Sequence, residues 1–167
     1  MLFRSGFGGL TIAAVAEMAE VGKGTIYLRW PDKESLVASA LADAWGPVED
    51  PDTGKLRDDL IAIVTAASKR MNGEAGALAM AVVGELGRYP ALRTLYVNDL
   101  NKPWIAVMVA IVERGIARGQ ARKGTDPVAV ARLVLSPTFA TGATRGARLT
   151  GKDITALVDT VLKGVAP

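Results

Sequence analysis

Apolar residues recur at spacings of three and four along most of the chain, and strict alternation is rare, which predicts helices throughout and no sheet. Thr11 opens the first clear helix as an N-cap, and Ile12, Val15 and Ala16 then share one face to about Ala19. Glu20-Val21-Gly22 predicts a tight turn. A second short helix runs from Lys23 to Trp30 behind Gly22, and Pro31 stops it. Asp32 caps a third, from Lys33 to about Trp45, with Leu36, Val37, Ala40 and Leu41 inward. Residues 46–54, rich in proline, glycine and acid, cannot continue a helix and predict a loop.

Longer helices follow. Leu56, Leu60, Ile63, Val64 and Ala67 mark one from Lys55 to about Met71, ended by Asn72-Gly73. Ala75 to Arg88 predicts the next. Pro90 suits a first helical turn, and Pro103 predicts a kink or restart in a helix that continues to about Gln120. Lys123-Gly124-Thr125 predicts a loop, and Asp126-Pro127 opens a helix to about Arg148 that contains Pro137. Thr150-x-x-Asp153 has the form of a capping box. The helix after it carries Ile154, Leu157, Val158, Val161, Leu162 and Val165 on one face. The expected fold class is all-α, with residues 1–45 as one domain and residues 46–167 as a second.

Composition narrows the chemistry. With 167 residues, half of them hydrophobic, the chain can bury a sizeable core. The longest apolar run, Trp104 to Val112, falls well short of the roughly 18 residues a membrane span needs. No basic-then-apolar leader opens the sequence, so a cytoplasmic location and no membrane partner are expected. There are no cysteines and no histidines, which excludes disulfides, Cys/His zinc sites, thiol nucleophiles and histidine triads. No phosphate-binding glycine loop or calcium loop appears either. No enzyme activity, metal or cofactor is therefore expected.

The formal charge is +3, which permits an anionic partner without demanding one. Residues 1–45 are net −1, with Arg4, Lys23, Arg29 and Lys33 as their only cations. Contact with DNA there would rest on a few well-placed cations. Two short helices joined by a tight turn can be a DNA-reading helix-turn-helix or plain packing. The DNA-reading form needs small or polar residues at the tip of its second helix, and Lys23, Gly24 and Thr25 meet that need. Val15, Ala16, Val21 and Ile26 are the residues expected to pack the two helices together.

The stretch from Gly6-Phe7 through Thr11, the alanines leading to Val21, Gly24-Thr25-Ile26-Tyr27, Arg29-Trp30, Asp32-Lys33-Glu34 and Leu36 resembles the TetR family of bacterial transcriptional regulators. The resemblance is close over residues 3–41 and one of plan beyond. It implies an all-α homodimer whose N-terminal helix-turn-helix binds operator DNA and whose C-terminal domain binds a small molecule and dimerises. Thr11, Lys23, Gly24, Thr25, Tyr27, Arg29 and Lys33 are the implied DNA-binding residues. The hydroxyls of Thr25 and Tyr27 can reach phosphates. Lys33, in the first turn of its helix, can hold a phosphate together with nearby backbone N–H groups. Lys23 and Arg29 have the reach for a guanine edge or a phosphate, and Gly24 lets the helix approach closely.

The family usually has glycine in the turn where this chain has Glu20, which strains the turn and faces phosphate unfavourably. Met1-Leu2-Phe3-Arg4-Ser5 resembles only the last turns of the family's first helix. An upstream start, a truncated chain, or a protein that has given up DNA binding would each account for this. The missing helix predicts that Leu10, Ile12, Val15 and Leu36 are exposed.

In the second segment, Met71, Met80, Val83, Tyr96, Trp104, Met108 and Phe139 are candidate walls of a pocket for a small apolar or amphipathic effector; core filling is the alternative for each. Pro103 and Pro137 free the carbonyls of Asp99 and Leu133. The helix from Pro127, with Val130, Leu133, Val134, Leu135 and Phe139, is apolar on nearly every side and needs two partners. A symmetry mate is the expected second one, through Leu135, Phe139, Ala143, Ala147, Ile154, Leu157, Val158, Val161 and Leu162. The function this predicts is a ligand-responsive repressor that binds a near-palindromic operator as a homodimer. The alternative is a dimeric small-molecule binder that has lost DNA binding.

Overall fold

The computed structural model describes residues 7–143 and 149–165. After a helical turn at residues 7–9 come α1 (Ile12–Met18), α2 (Lys23–Arg29), α3 (Lys33–Trp45), α4 (Leu56–Met71), α5 (Glu74–Val83) and α6 (Pro90–Leu95). A π-helical turn (Tyr96–Asn101) leads into α7 (Lys102–Ala117), followed by α8 (Pro127–Ala143) and α9 (Gly151–Val165). Among the described residues there is no strand, as the apolar spacing predicts.

The starts of these helices are written in their caps. Thr11 Oγ1 accepts from the Ala14 amide at 3.2 Å, and Asp32 Oδ1 accepts from the Ser35 amide at 2.7 Å. Asp126 Oδ1 accepts from the amides of Val128 and Ala129. The Thr150–Asp153 box closes both ways: the Thr150 amide donates to Asp153 Oδ2 at 2.9 Å, and the Asp153 amide donates to Thr150 Oγ1 at 3.2 Å. Each cap satisfies amides that the first helical turn leaves unpaired.

One element departs from the sequence pattern, and the restart expected at Pro103 is observed. The helix expected over Ala75–Arg88 ends at Val83. Beyond it the amides of Glu85 and Leu86 reach back only three residues, to Val82 and Val83. Gly84 and Gly87 give the helix little reason to continue. Pro103 lies in the first turn of α7, directly behind the π-helical turn. Its ring nitrogen has no hydrogen to donate, so the regular ladder cannot pass through it, and the chain restarts.

The chain packs as two compact units, Met1–Gly46 with Glu74–Leu100, and Pro47–Gly73 with Asn101–Pro167. In the first, Ile12, Ala16 and Ile26 form a buried cluster, with Trp30 and Leu36 packed against it. α3 lies against α5 and α6. Leu10 and Ile12 are buried and Val15 and Leu36 half-buried, so the exposure expected for these four is not observed. Ile12 finds its partners in Ala16 and Ile26. Val21, expected in the helix contact, is 40% exposed; Trp30 and Leu36 occupy that role instead.

In the second unit α4, α7, α8 and α9 form a four-helix bundle around Leu60, Ile63, Val64, Met108, Ile111, Val134 and Val158. The acidic loop before α4 is strapped to α7. Arg114 grips both oxygens of Asp50 at 2.9 and 2.7 Å and also donates to the Pro51 carbonyl. Arg118 pairs with Asp52 at 2.8 Å. Gln120 then bridges, donating to the Gly54 carbonyl and accepting from the Leu56 amide at 2.6 Å.

Candidate nucleic-acid interface

α2 is held by a single buried residue, Ile26, which leaves the rest of a seven-residue helix in solvent. Lys23, Gly24, Thr25, Tyr27, Leu28 and Arg29 are all exposed. At about 100° per residue, Gly24 and Leu28 stand opposite Ile26, with Thr25 and Tyr27 on either side. A Cβ at Gly24 would meet nothing within 4 Å, so this glycine serves no internal close approach. It thins the outer face of the helix. Thr11, at the head of α1, is exposed and spends one lone pair on its cap.

The cations differ in how free they are. Lys23 is exposed, in the first turn of α2. The Arg29 guanidinium lies 4.9 Å from the centroid of the Trp30 ring, a cation–π contact. Lys33 is half-buried. Its ammonium donates to the Phe7 carbonyl at 3.4 Å and lies 4.4 Å from the Phe7 ring centroid and 5.4 Å from that of Tyr89. Phe7 and Tyr89 meet edge to face at 4.6 Å. The lysine expected on a phosphate is thus engaged inside its own unit, by a residue 56 positions away that sequence spacing alone could not pair with it.

Glu20 is the one non-glycine residue with positive φ among those described, at 54°. The turn between α1 and α2 demands a left-handed residue, the conformation that glycine adopts without cost. Asp32, capping α3, has its carboxyl held below the ordinary carboxylate range by the Ser35 hydroxyl and amide.

Leu28 is an exposed apolar residue on the outer face of α2. It is 90% exposed. Its signal was present: an apolar residue two positions from the inward Ile26 must point away from the core.

The effector residues fall in both units. In the first, Met80, Val83 and Tyr96 are half-buried, and burial pushes the Tyr96 phenol up from its ordinary pKa. In the second, Met71, Trp104 and Met108 are buried and Phe139 is half-buried. Arg70 covers the Trp104 ring at 5.3 Å, while the buried Trp104 Nε1–H has no hydrogen-bond partner among the described residues.

Of the residues assigned to a dimer surface, Leu135, Ile154 and Val158 are buried within their own chain. Phe139, Leu157, Val161 and Leu162 are half-buried. Ala147 lies outside the described residues, as does the side chain of Ala143. Leu133 and Val128 on α8 are 60% and 38% exposed. Leu133 and Val161 line a groove of about 640 Å³ between α8 and α9.

The family model for bacterial regulatory proteins of the tetR family matches residues 1–40. That for the tetracyclin repressor-like C-terminal domain matches residues 50–161. The uncharacterized HTH-type transcriptional regulator Rv1556 of Mycobacterium tuberculosis is 32% identical over 72% of this chain and 59% of its own length; the chain spans about three fifths of that relative. The DNA-binding transcriptional repressor TetR of Mycobacteroides abscessus is 30% identical over 75% of this chain and 67% of its own. The fold is also that of FadR from Bacillus subtilis, solved in complex with stearoyl-CoA, with a TM-score of 0.71 at 21% identity over 97% of this chain and 90% of that one. The exposed second helix of the first unit, the helical bundle of the second and both family matches agree: this chain belongs to the TetR family of bacterial regulatory proteins.

Proposed function

We propose that the protein is a ligand-responsive transcriptional repressor that binds a near-palindromic operator as a homodimer. The observation that carries the reading is the outer face of α2, where one buried anchor leaves Lys23, Gly24, Thr25 and Tyr27 in solvent on a short helix behind a tight turn. Such a helix fits the major groove. Lys23 supplies charge, the hydroxyls of Thr11, Thr25 and Tyr27 supply phosphate contacts, and Gly24 allows close approach. Arg29 joins them if it leaves Trp30. Lys33 acts one step back, holding the start of α3 against Phe7 and Tyr89.

Dimerisation through α8 and α9 is supported by apolar surface left uncovered on those helices: Leu133 and Val128 exposed, Leu157, Val161 and Leu162 half-buried. An isologous pairing of the two helices would bury it. Two copies would set two α2 helices about one helical turn of DNA apart, ~34–36 Å.

An amphipathic effector is supported by Met71, Trp104, Met108 and Phe139, apolar residues of the second unit that are buried or half-buried, and by the unpartnered Trp104 Nε1–H. An apolar molecule carrying one acceptor would satisfy that donor. The stearoyl-CoA held by the FadR fold is a ligand of that general kind. The test is quantitative DNA binding by the full-length protein to the duplex upstream of its own coding sequence, with and without long-chain acyl compounds. Sequence-specific binding released by such a compound supports the reading; a folded protein that binds no duplex contradicts it.

A further inference from the structure

We propose that Leu28 reads sequence, by covering the 5-methyl group of a thymine in the major groove. The proposal rests on α2 being the helix that enters DNA, and adds which base it selects and by what chemistry.

Leu28 is 90% exposed, the most exposed of the large apolar residues described. Its position opposite Ile26 places it at the centre of the outer face, one turn after Gly24 and next to Tyr27, which is itself 53% exposed. A single exposed leucine on a protein surface is unremarkable. A leucine at the crest of a seven-residue helix with one buried anchor is different, because whatever that helix meets meets Leu28 first. Two of the cations around it are engaged elsewhere. Arg29 is stacked on Trp30 and Lys33 is tied to Phe7. Glutamine and asparagine, the residues suited to adenine edges, do not occur in α2 at all. The crest of the helix offers a branched alkyl group. The one apolar group that a base presents in the major groove is the thymine methyl. The fit is chemical: an alkyl side chain buries that methyl and leaves the polar edge of cytosine or guanine without a partner.

The experiment selects duplexes from a random pool with the full-length protein, then replaces each thymine of the selected half-site by uracil, one at a time. Uracil keeps every hydrogen bond and removes only the methyl. The wild-type protein should lose about fourfold in affinity at one thymine and its symmetry mate, the factor that burial of one methyl carries. Leu28→Ala should bind the thymine and uracil duplexes equally and accept other bases there. Its melting temperature should match the wild type, since the side chain is 90% exposed. A selected duplex whose affinity is unmoved by every uracil replacement overturns the assignment while leaving DNA binding intact. Failure to select any duplex overturns both. A change in the sedimentation of the DNA-free protein on Leu28→Ala would show that the leucine serves a protein contact, and would also overturn it.

Discussion

The ammonium of Lys33 sits 4.4 Å from the centroid of the Phe7 ring and donates to the carbonyl of the same residue at 3.4 Å. Tyr89 closes the arrangement, its ring edge-on to Phe7. One side chain thus joins the turn before α1, the start of α3 and the entry to α6. Lys33→Met should lower stability by about 1 kcal/mol, the scale of a partly desolvated cation–π contact. It should also leave the salt dependence of DNA binding unchanged. A lysine that neutralised a phosphate would lower the salt slope by about one on removal. Thermal denaturation and a salt titration of Lys33→Met separate the two roles.

Glu20 pays a conformational cost that glycine would not. Its φ of 54° lies in the left-handed region, which disfavours an L side chain by about 1–2 kcal/mol. Glu20→Gly should therefore stabilise the protein by up to about 1 kcal/mol, part of the gain being offset by the freer unfolded chain. It should also tighten DNA binding at low salt by removing a negative charge beside α2. Chemical denaturation of the variant checks the first effect; a destabilised Glu20→Gly would contradict the strain.

Among the described glycines, Gly115 has the tightest surroundings. A Cβ there would come within 2.7 Å of Leu56 Cδ2 and 3.0 Å of its Cγ, and Leu56 is buried. Overpacking of this kind costs about 1–3 kcal/mol, against about 1 kcal/mol gained by alanine in a helix. Gly115→Ala should be destabilising on balance, and Gly115→Val strongly so. Adding Leu56→Ala should recover part of the Gly115→Val loss, a coupling visible in a double-mutant cycle.

The pH dependence follows from capping and paired carboxylates. The Ser35 hydroxyl and amide hold Asp32 low, Arg118 holds Asp52 low, the Thr150 hydroxyl and amide hold Asp153 low, and Arg57 holds Asp159 low. A carboxyl whose folded pKa is depressed adds stability above its unfolded value, near 3.8, and that stability is lost as pH falls through the folded pKa. With no histidine in the chain, stability should be nearly level from pH 5 to 8 and drop below about pH 4. Asp159→Asn should flatten the acid limb and lower stability at neutral pH. Denaturation midpoints across pH 3–8 test both.

The N-terminal half was the more legible from sequence, because its signals are local. Thr11, Asp32 and Pro31 announce helix ends within three residues of where they act, and Gly24-Thr25-Ile26-Tyr27, with the residues around it from Gly6 to Leu36, carries the family resemblance. Burial at Ile12 and engagement of Lys33 were not legible, since each depends on contacts across the fold: Ile12 on Ile26, Lys33 on Phe7 and Tyr89. The same limit applies to Leu135, Ile154 and Val158. An apolar stripe shows that a face must be covered, not whether the cover is its own chain or another. Leu28 takes its meaning only once Ile26 is known to point inward.

The central claim is that the outer face of α2 binds duplex DNA. The most direct test is the affinity of the full-length protein for the duplex upstream of its coding sequence, measured across a range of salt concentrations, for the wild type and Tyr27→Ala. The account predicts sequence-specific binding that weakens linearly in log–log form as salt rises, and that falls at least tenfold in the variant while the fold is unchanged. Binding that ignores Tyr27→Ala, or a folded protein that holds no duplex even at low salt, would contradict it.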